Sequence, residues 1–190
     1  MRTNFATGAA IALATVALLS SAASAQDAGG VRSRAELSDA VQMQIAQTRR
    51  ATAQFHNLEA AFAARYGPSP VIDLQGRSCI EEPGQGAMGV HYANGGLLLF
   101  DPEASAPQAL IYEPMGDGSQ RLVGVEYIAF KSGWDSRHPG TVPTLYGQDF
   151  ELVPDGNRYG MPAFYALHLW LWQPNRNGMF ADWNPDVHCP

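Results

Sequence analysis

The sequence predicts an α+β fold, an N-terminal helical segment packed on an antiparallel β-sheet and tied by one long-range disulfide. Three observations carry this expectation. Apolar residues recur three and four apart between Leu37 and Tyr66, the spacing of one helix face. From Met88 onward the pattern changes to short apolar runs separated by Gly, Pro, Asn and Asp, which reads as strands and turns. Helix first and strands afterwards, without alternation, is the order of an α+β domain. Only two cysteines are present, Cys79 and Cys189.

Residues 1–25 read as an export signal. Arg2 supplies the positive end, residues 9–19 an apolar run, and Ala23-Ser24-Ala25 the small-residue cleavage pattern, with the cut before Gln26. The run is about 11 residues, well short of the roughly 20 that a spanning helix needs. A single Arg2 is not a twin-arginine signal, and no cysteine at the cleavage point offers a lipid anchor. Removing 25 of 190 residues leaves 165, enough for one domain with a substantial core. The expected organisation is a signal peptide over 1–25 and a single domain over 26–190. The domain reads as helical over 33–66 and mainly strands and loops over 79–190.

Loss of Arg2 takes the formal charge from −6 to −7. Apart from Arg49-Arg50 the basic residues are scattered, so the chain lacks an electrostatic footprint for nucleic acid or anionic lipid. No later segment is apolar enough to span a membrane. The expected location is the periplasm or the medium. A small ligand is the remaining partner class, and nothing in the sequence sets an oligomeric state. In an exported chain two cysteines read as one disulfide. It would close a loop of about 110 residues, worth about 4–5 kcal/mol in the chain-entropy model. The alternative is a metal site using Cys189 and the adjacent His188.

Element by element, residues 26–31 form a short small-residue tail. Ser33-Arg34-Ala35-Glu36 fits a capping box, with serine and glutamate each capping a backbone N–H. Leu37, Val41, Ile45, Phe55, Leu58, Phe62 and Tyr66 then mark an amphipathic helix ended by Gly67-Pro68. Unbroken over 34–66 it would run about 50 Å, so a bend is expected near 47–51. Strands follow at 88–92, 97–100, 109–112, 121–130 and 144–152, the last as one short strand or a pair. Met115-Gly116-Asp117-Gly118-Ser119 reads as a hairpin loop. Residues 133–143 and 173–190 read as long Gly/Pro-rich connections, and Asp182-Trp183-Asn184-Pro185 as an ordered turn. Residues 164–172 are the last and most apolar strand, although Leu167 and Leu171, four apart, also suit a helix.

That last strand localises a candidate site. Alternation puts Tyr165, Leu167, Leu169 and Leu171 on one face, an aliphatic core face. Phe164, Ala166, His168, Trp170 and Trp172 fall on the other, with an imidazole among aromatic rings. On 121–130 one face carries Leu122, Gly124, Glu126, Ile128 and Phe130, the other Arg121, Val123, Val125, Tyr127 and Ala129. Both are largely apolar, so Glu126 is a carboxylate in a buried strand and needs a partner. His91 sits in another strand. If these strands are neighbours, His91, Glu126 and His168 converge, and two imidazoles with one carboxylate suit a divalent transition metal such as zinc, copper or iron. The histidines would be direct ligands, and Glu126 a ligand or a base for bound water. Met88 or Glu113 could add a donor.

A plainer arrangement pairs Glu126 with an arginine such as Arg158 and leaves each histidine bonded to backbone. A different class of function is a non-catalytic binding module whose aromatic groove, lined by Phe164, Trp170 and Trp172, takes a small apolar ligand or a glycan. A third is a purely structural role. No motif assigns a reaction. A G-x-S-x-G elbow is absent, Gly84-Gln85-Gly86 lacks the setting of a dinucleotide loop, and His138 before Pro139-Gly140 reads as a solvated loop residue.

Four blocks, Gly86-Ala87-Met88-Gly89-Val90-His91-Tyr92, Leu122-Val123-Gly124-Val125-Glu126-Tyr127, residues 164–170 and residues 177–185 closing on Cys189, resemble a family of exported bacterial proteins of unknown function. The resemblance covers most of the mature chain. It implies export and the disulfide, and places His91, Glu126 and His168 inside the recognisable blocks. It implies no activity.

Overall fold

A computed structural model describes residues 38–190. The expected signal peptide, the tail at 26–31 and the capping box at 33–36 lie outside the described residues. Helix α1 (Asp39–Thr52) opens on Ser38, whose extended backbone lets its hydroxyl accept from the Val41 N–H, the N-cap geometry of serine. The expected bend falls later than 47–51. A 3₁₀ turn (Ala53–His56) breaks the run, and Asn57 then caps α2 (Leu58–Ala63) by accepting from the Glu59 N–H. Thr52 ends α1, its hydroxyl donating to the Thr48 carbonyl, a bond that competes with the helix ladder.

Six strands build one antiparallel sheet in the order β1-β2-β3-β4-β8-β7. They are β1 (Cys79–Glu82), β2 (Gly86–Ala93), β3 (Ala109–Pro114), β4 (Gln120–Phe130), β7 (Glu151–Val153) and β8 (Phe164–Leu169). Two short strands, β5 (Thr144–Leu145) and β6 (Gln148–Asp149), pair separately. Residues 115–119 form the expected turn between β3 and β4, closed by the Met115 N–H on the Ser119 carbonyl. The segment at 164–172 is a strand rather than a helix, and it stops at Leu169. Two expectations are corrected. Residues 97–100 hold a 3₁₀ turn (Leu97–Leu99) and no strand. The connection after β4 begins with a short helix, α3 (Lys131–Arg137), supported by a Lys131–Asp135 ion pair one turn apart.

The main core lies between the helices and one face of the sheet. Ile45, Phe55 and Ala61 meet Tyr92, Leu110, Tyr112, Val125, Tyr127, Tyr165, Leu167, Leu169 and Leu171 there. Each fully buried Leu in such a layer contributes about 1.5–3 kcal/mol. The expected aliphatic face of β8 therefore faces the helices. Two smaller clusters cover the opposite face, one with Ile111, Val123, Trp170 and Val187, the other with Ala109, Ile128, Phe164 and Ala166. The expected faces of β4 hold only beyond Gly124. Ile111 pairs with Gly124 and Tyr112 with Leu122, which leaves Val123 as an extra residue. This bulge moves Leu122 to the helix side with Val125 and sends Val123 to the other face.

The C-terminal segment crosses that second face. Ala87 and Asn184 exchange backbone hydrogen bonds of 3.0 and 3.1 Å. A Cβ on Gly86 would sit 2.3 Å from the Asn184 carbonyl oxygen, and φ is +114° there, so glycine is required on both counts. Cys189 is disulfide-bonded to Cys79 on β1, which replaces the alternative metal site of Cys189 and His188. Among the described residues no helix is long and apolar enough to cross a membrane.

Candidate functional site

The second face of the sheet carries the site, in the gap between its two apolar clusters. Register explains the convergence. Glu126 on β4 lies directly opposite His168 on β8 and, on its other side, opposite Ala109 on β3. His91 on β2 pairs with Ile111, two residues along β3 from Ala109. All three polar side chains share one face, and because Ala109 is small, His91 and Glu126 meet over it. His91 Nε2 lies 3.6 Å from Glu126 Oε2, and His168 Nε2 lies 3.9 Å from Glu126 Oε1. One ligand atom from each residue falls within 4.8 Å of the other two. Donors at 2.0–2.1 Å on one tetrahedral ion lie about 3.4 Å apart, so an edge at the 4.8 Å limit would close by about 1.4 Å on binding.

All three groups are buried, Glu126 at 9% exposure and His168 at 2%. Burial raises the Glu126 carboxyl above its ordinary value, with the His168 charge opposing and Asp182 adding to the rise. Burial and the neighbouring His168 push His91 down to about 3, against a hydrogen bond to the Gly89 backbone, so its ring is neutral at physiological pH. Burial would also lower His168, but Glu126 and Asp182 outweigh it and hold its pKa above the ordinary value. His168 Nδ1 sits 3.2 Å from Asp182 Oδ1, whereas His168 Nε2 is buried without a hydrogen-bond partner. Buried polar atoms are rarely left so. A cavity of about 20 Å³ adjoins His91 and Glu126, walled by Val71, Ala109, Tyr159 and Met161 among others, room for about one water.

The remaining expected residues divide. Arg158 is not the partner of Glu126. It holds Asp73 at 3.2 Å and Glu82 at 3.9 Å. Glu113 pairs with Arg121 and accepts from the His188 N–H, and the Met88 sulfur accepts from the Tyr159 hydroxyl, so neither joins the three. Phe164, Trp170 and Trp172 do not line one groove. Phe164 and Trp170 are each 2% exposed and belong to separate clusters. Trp172, beyond the end of β8, loses the alternation and packs on the helix side, edge-on to His56 with the Arg49 guanidinium 5.2 Å from its ring. His138 is the expected solvent-exposed loop residue, just beyond α3 with its side chain 37% exposed, and it pairs with Asp101 at 2.8 Å.

Two residues of the site were not legible. Asp182 reads as a turn former, yet it reaches His168, while its neighbour Asn184 accepts from the Asp186 N–H and forms the turn. Glu151 on β7 lies beside Asp182, and the neighbouring carboxyl raises the Glu151 carboxyl, while the His168 contact lowers Asp182. Both line an open cleft of about 470 Å³ with Gln148, Phe180 and Trp183. The only signal was a carboxylate between Ala181 and Trp183 in an otherwise apolar stretch. No protein-family model, curated protein or solved structure matches the chain.

Proposed function

We propose that the mature chain is an exported periplasmic or secreted domain that binds one divalent transition metal ion through His91, Glu126 and His168. One observation carries the reading. His168 Nε2 is buried without a hydrogen-bond partner and faces Glu126, beside the neutral ring of His91. Imidazole nitrogens and a carboxylate are donors that suit zinc, copper or iron. A bound ion would supply a Lewis-acid centre. The chain's own part is to hold the three donors and exclude bulk water from them. Burial of the donors favours binding and retention of the ion over turnover of a large substrate, because the adjoining cavity admits little more than a water molecule.

Elemental analysis tests this, on mature protein purified from an export host without a histidine tag beside a His91→Ala/His168→Ala double variant. Near-stoichiometric zinc, copper or iron that disappears in the variant is expected. No metal in either protein, with no thermal shift on adding those ions, would overturn the reading. The competing class, an aromatic groove for a small apolar ligand or glycan, is weakened by the burial of Phe164 and Trp170.

A further inference from the structure

We infer that Asp182 is the positioning residue of this centre, the group that orients the His168 ring so that its Nε2 faces Glu126 and His91. The inference rests on the metal-binding reading above and deepens it. An imidazole has two nitrogens and its ring can turn over, so which nitrogen meets an ion depends on what engages the other. At His168 Nδ1 is engaged by Asp182 Oδ1 at 3.2 Å, and Nε2 is left toward Glu126 Oε1 at 3.9 Å. A ring turned over would place carbon against the carboxylate and lose this contact.

Asp182 can do this because its backbone is anchored on both sides. The Trp170 N–H donates to the Met179 carbonyl, and Trp170 Nε1 donates to the Ala181 carbonyl at 2.5 Å, the residue before Asp182. On the other side Asn184 is bonded to Ala87 on β2. Trp170 also lies nearly parallel to the His168 ring, 10° between planes and 6.2 Å between centroids, so one indole both flanks the imidazole and fixes the segment that carries its carboxylate. Such a carboxylate behind a metal-binding histidine sets the tautomer and raises the basicity of the nitrogen that meets the ion. The Asp182 side chain is 39% exposed beside the open cleft, so its replacement leaves the core intact.

The test compares the disulfide-bonded mature chain with its Asp182→Ala and Asp182→Asn variants. Zinc is titrated against a chromogenic competitor, imidazole ¹H–¹⁵N spectra of the zinc-loaded proteins report the His168 Nδ1–H, and melting of the metal-free proteins reports folding. The expected result is a zinc dissociation constant raised about 10–100-fold in Asp182→Ala, with the Nδ1–H signal lost or moved upfield. Asp182→Asn keeps an acceptor oxygen and should fall between. Metal-free melting temperatures should agree within a few degrees. Equal zinc affinity with an unchanged Nδ1–H signal would overturn the positioning role and leave the metal site standing. The role is equally overturned by a lowered metal-free melting temperature with unaltered affinity, which marks a purely structural aspartate. A wild-type chain that takes no zinc overturns the metal-binding reading and this inference with it.

Discussion

Glu126 shows how one residue's chemistry depends on its neighbours. A carboxylate in a strand whose other side chains are mostly apolar has to be paired, coordinated or protonated, and this much is legible from the residue's setting. Its partners are not, because they come from β2 and β8, far along the chain. Replacing Glu126 with Gln keeps the shape and removes the charge. Zinc affinity should fall by at least the 10–100-fold that losing an outer partner costs, as read by competitor titration. Asp73 provides a second residue-scale prediction, away from the site. Its buried carboxylate accepts from the N–H groups of Gln75 and Arg77 and from both the Arg77 and Arg158 guanidiniums. The Arg77 backbone N–H does most to lower its pKa, burial opposes, and the two guanidiniums and the Gln75 N–H reinforce the fall. A depressed carboxylate stabilises the fold fully above its unfolded value, near 3.9, and the stabilisation is lost as pH falls from there through the folded value. Asp73→Asn should therefore melt below wild type at neutral pH, and the gap should narrow in acid. A gap independent of pH between neutrality and strong acid would refute the assignment.

At the scale of elements, the helical periodicity and the strand alternation were legible because each depends on local spacing. Breaks in that spacing were not. The bulge at Val123 shifts the phase of β4 by one residue, so Leu122 joins Val125 instead of Gly124 and Glu126. Nothing in Leu122-Val123-Gly124 announces it, because the bulge is set by pairing with β3. Trp172 departs from the expected alternation for a similar reason. Alternation carries it to the face of His168, but β8 ends at Leu169 and the chain turns toward the helices. Docking of the C-terminal segment on β2 is the element-scale feature with the clearest consequence. Gly86→Val would force the Asn184 backbone away, at a cost of about 1–3 kcal/mol. Because Asp182 rides on that segment, the variant should lose zinc affinity as well as thermal stability. Lost stability with wild-type affinity would mean that Asp182 holds His168 without the anchor.

For the whole molecule, the 110-residue separation between Cys79 and Cys189 is the dominant constraint. Closing a loop of that length stabilises the folded state by about 4–5 kcal/mol in the chain-entropy model. It also staples the segment carrying Asp182 to the edge of the sheet. A Cys79→Ser/Cys189→Ser variant should therefore shift the urea midpoint downward by that free energy divided by the denaturant slope. Reduction of the wild-type protein should reproduce the shift. An unchanged midpoint would show that docking through Asn184 suffices without the covalent link.

The sequence by itself determined the α+β class, favoured a disulfide over a Cys189–His188 metal site, and made His91, Glu126 and His168 candidates. Each follows from local spacing or from counting, since two cysteines have only one way to pair with each other. Tertiary structure decided the rest. Strand order brings β2, β3, β4 and β8 side by side, the bulge sets which face each residue takes, and a segment near the C-terminus delivers Asp182 to His168. Those outcomes depend on contacts between residues 14 to 42 positions apart, and no local pattern encodes them.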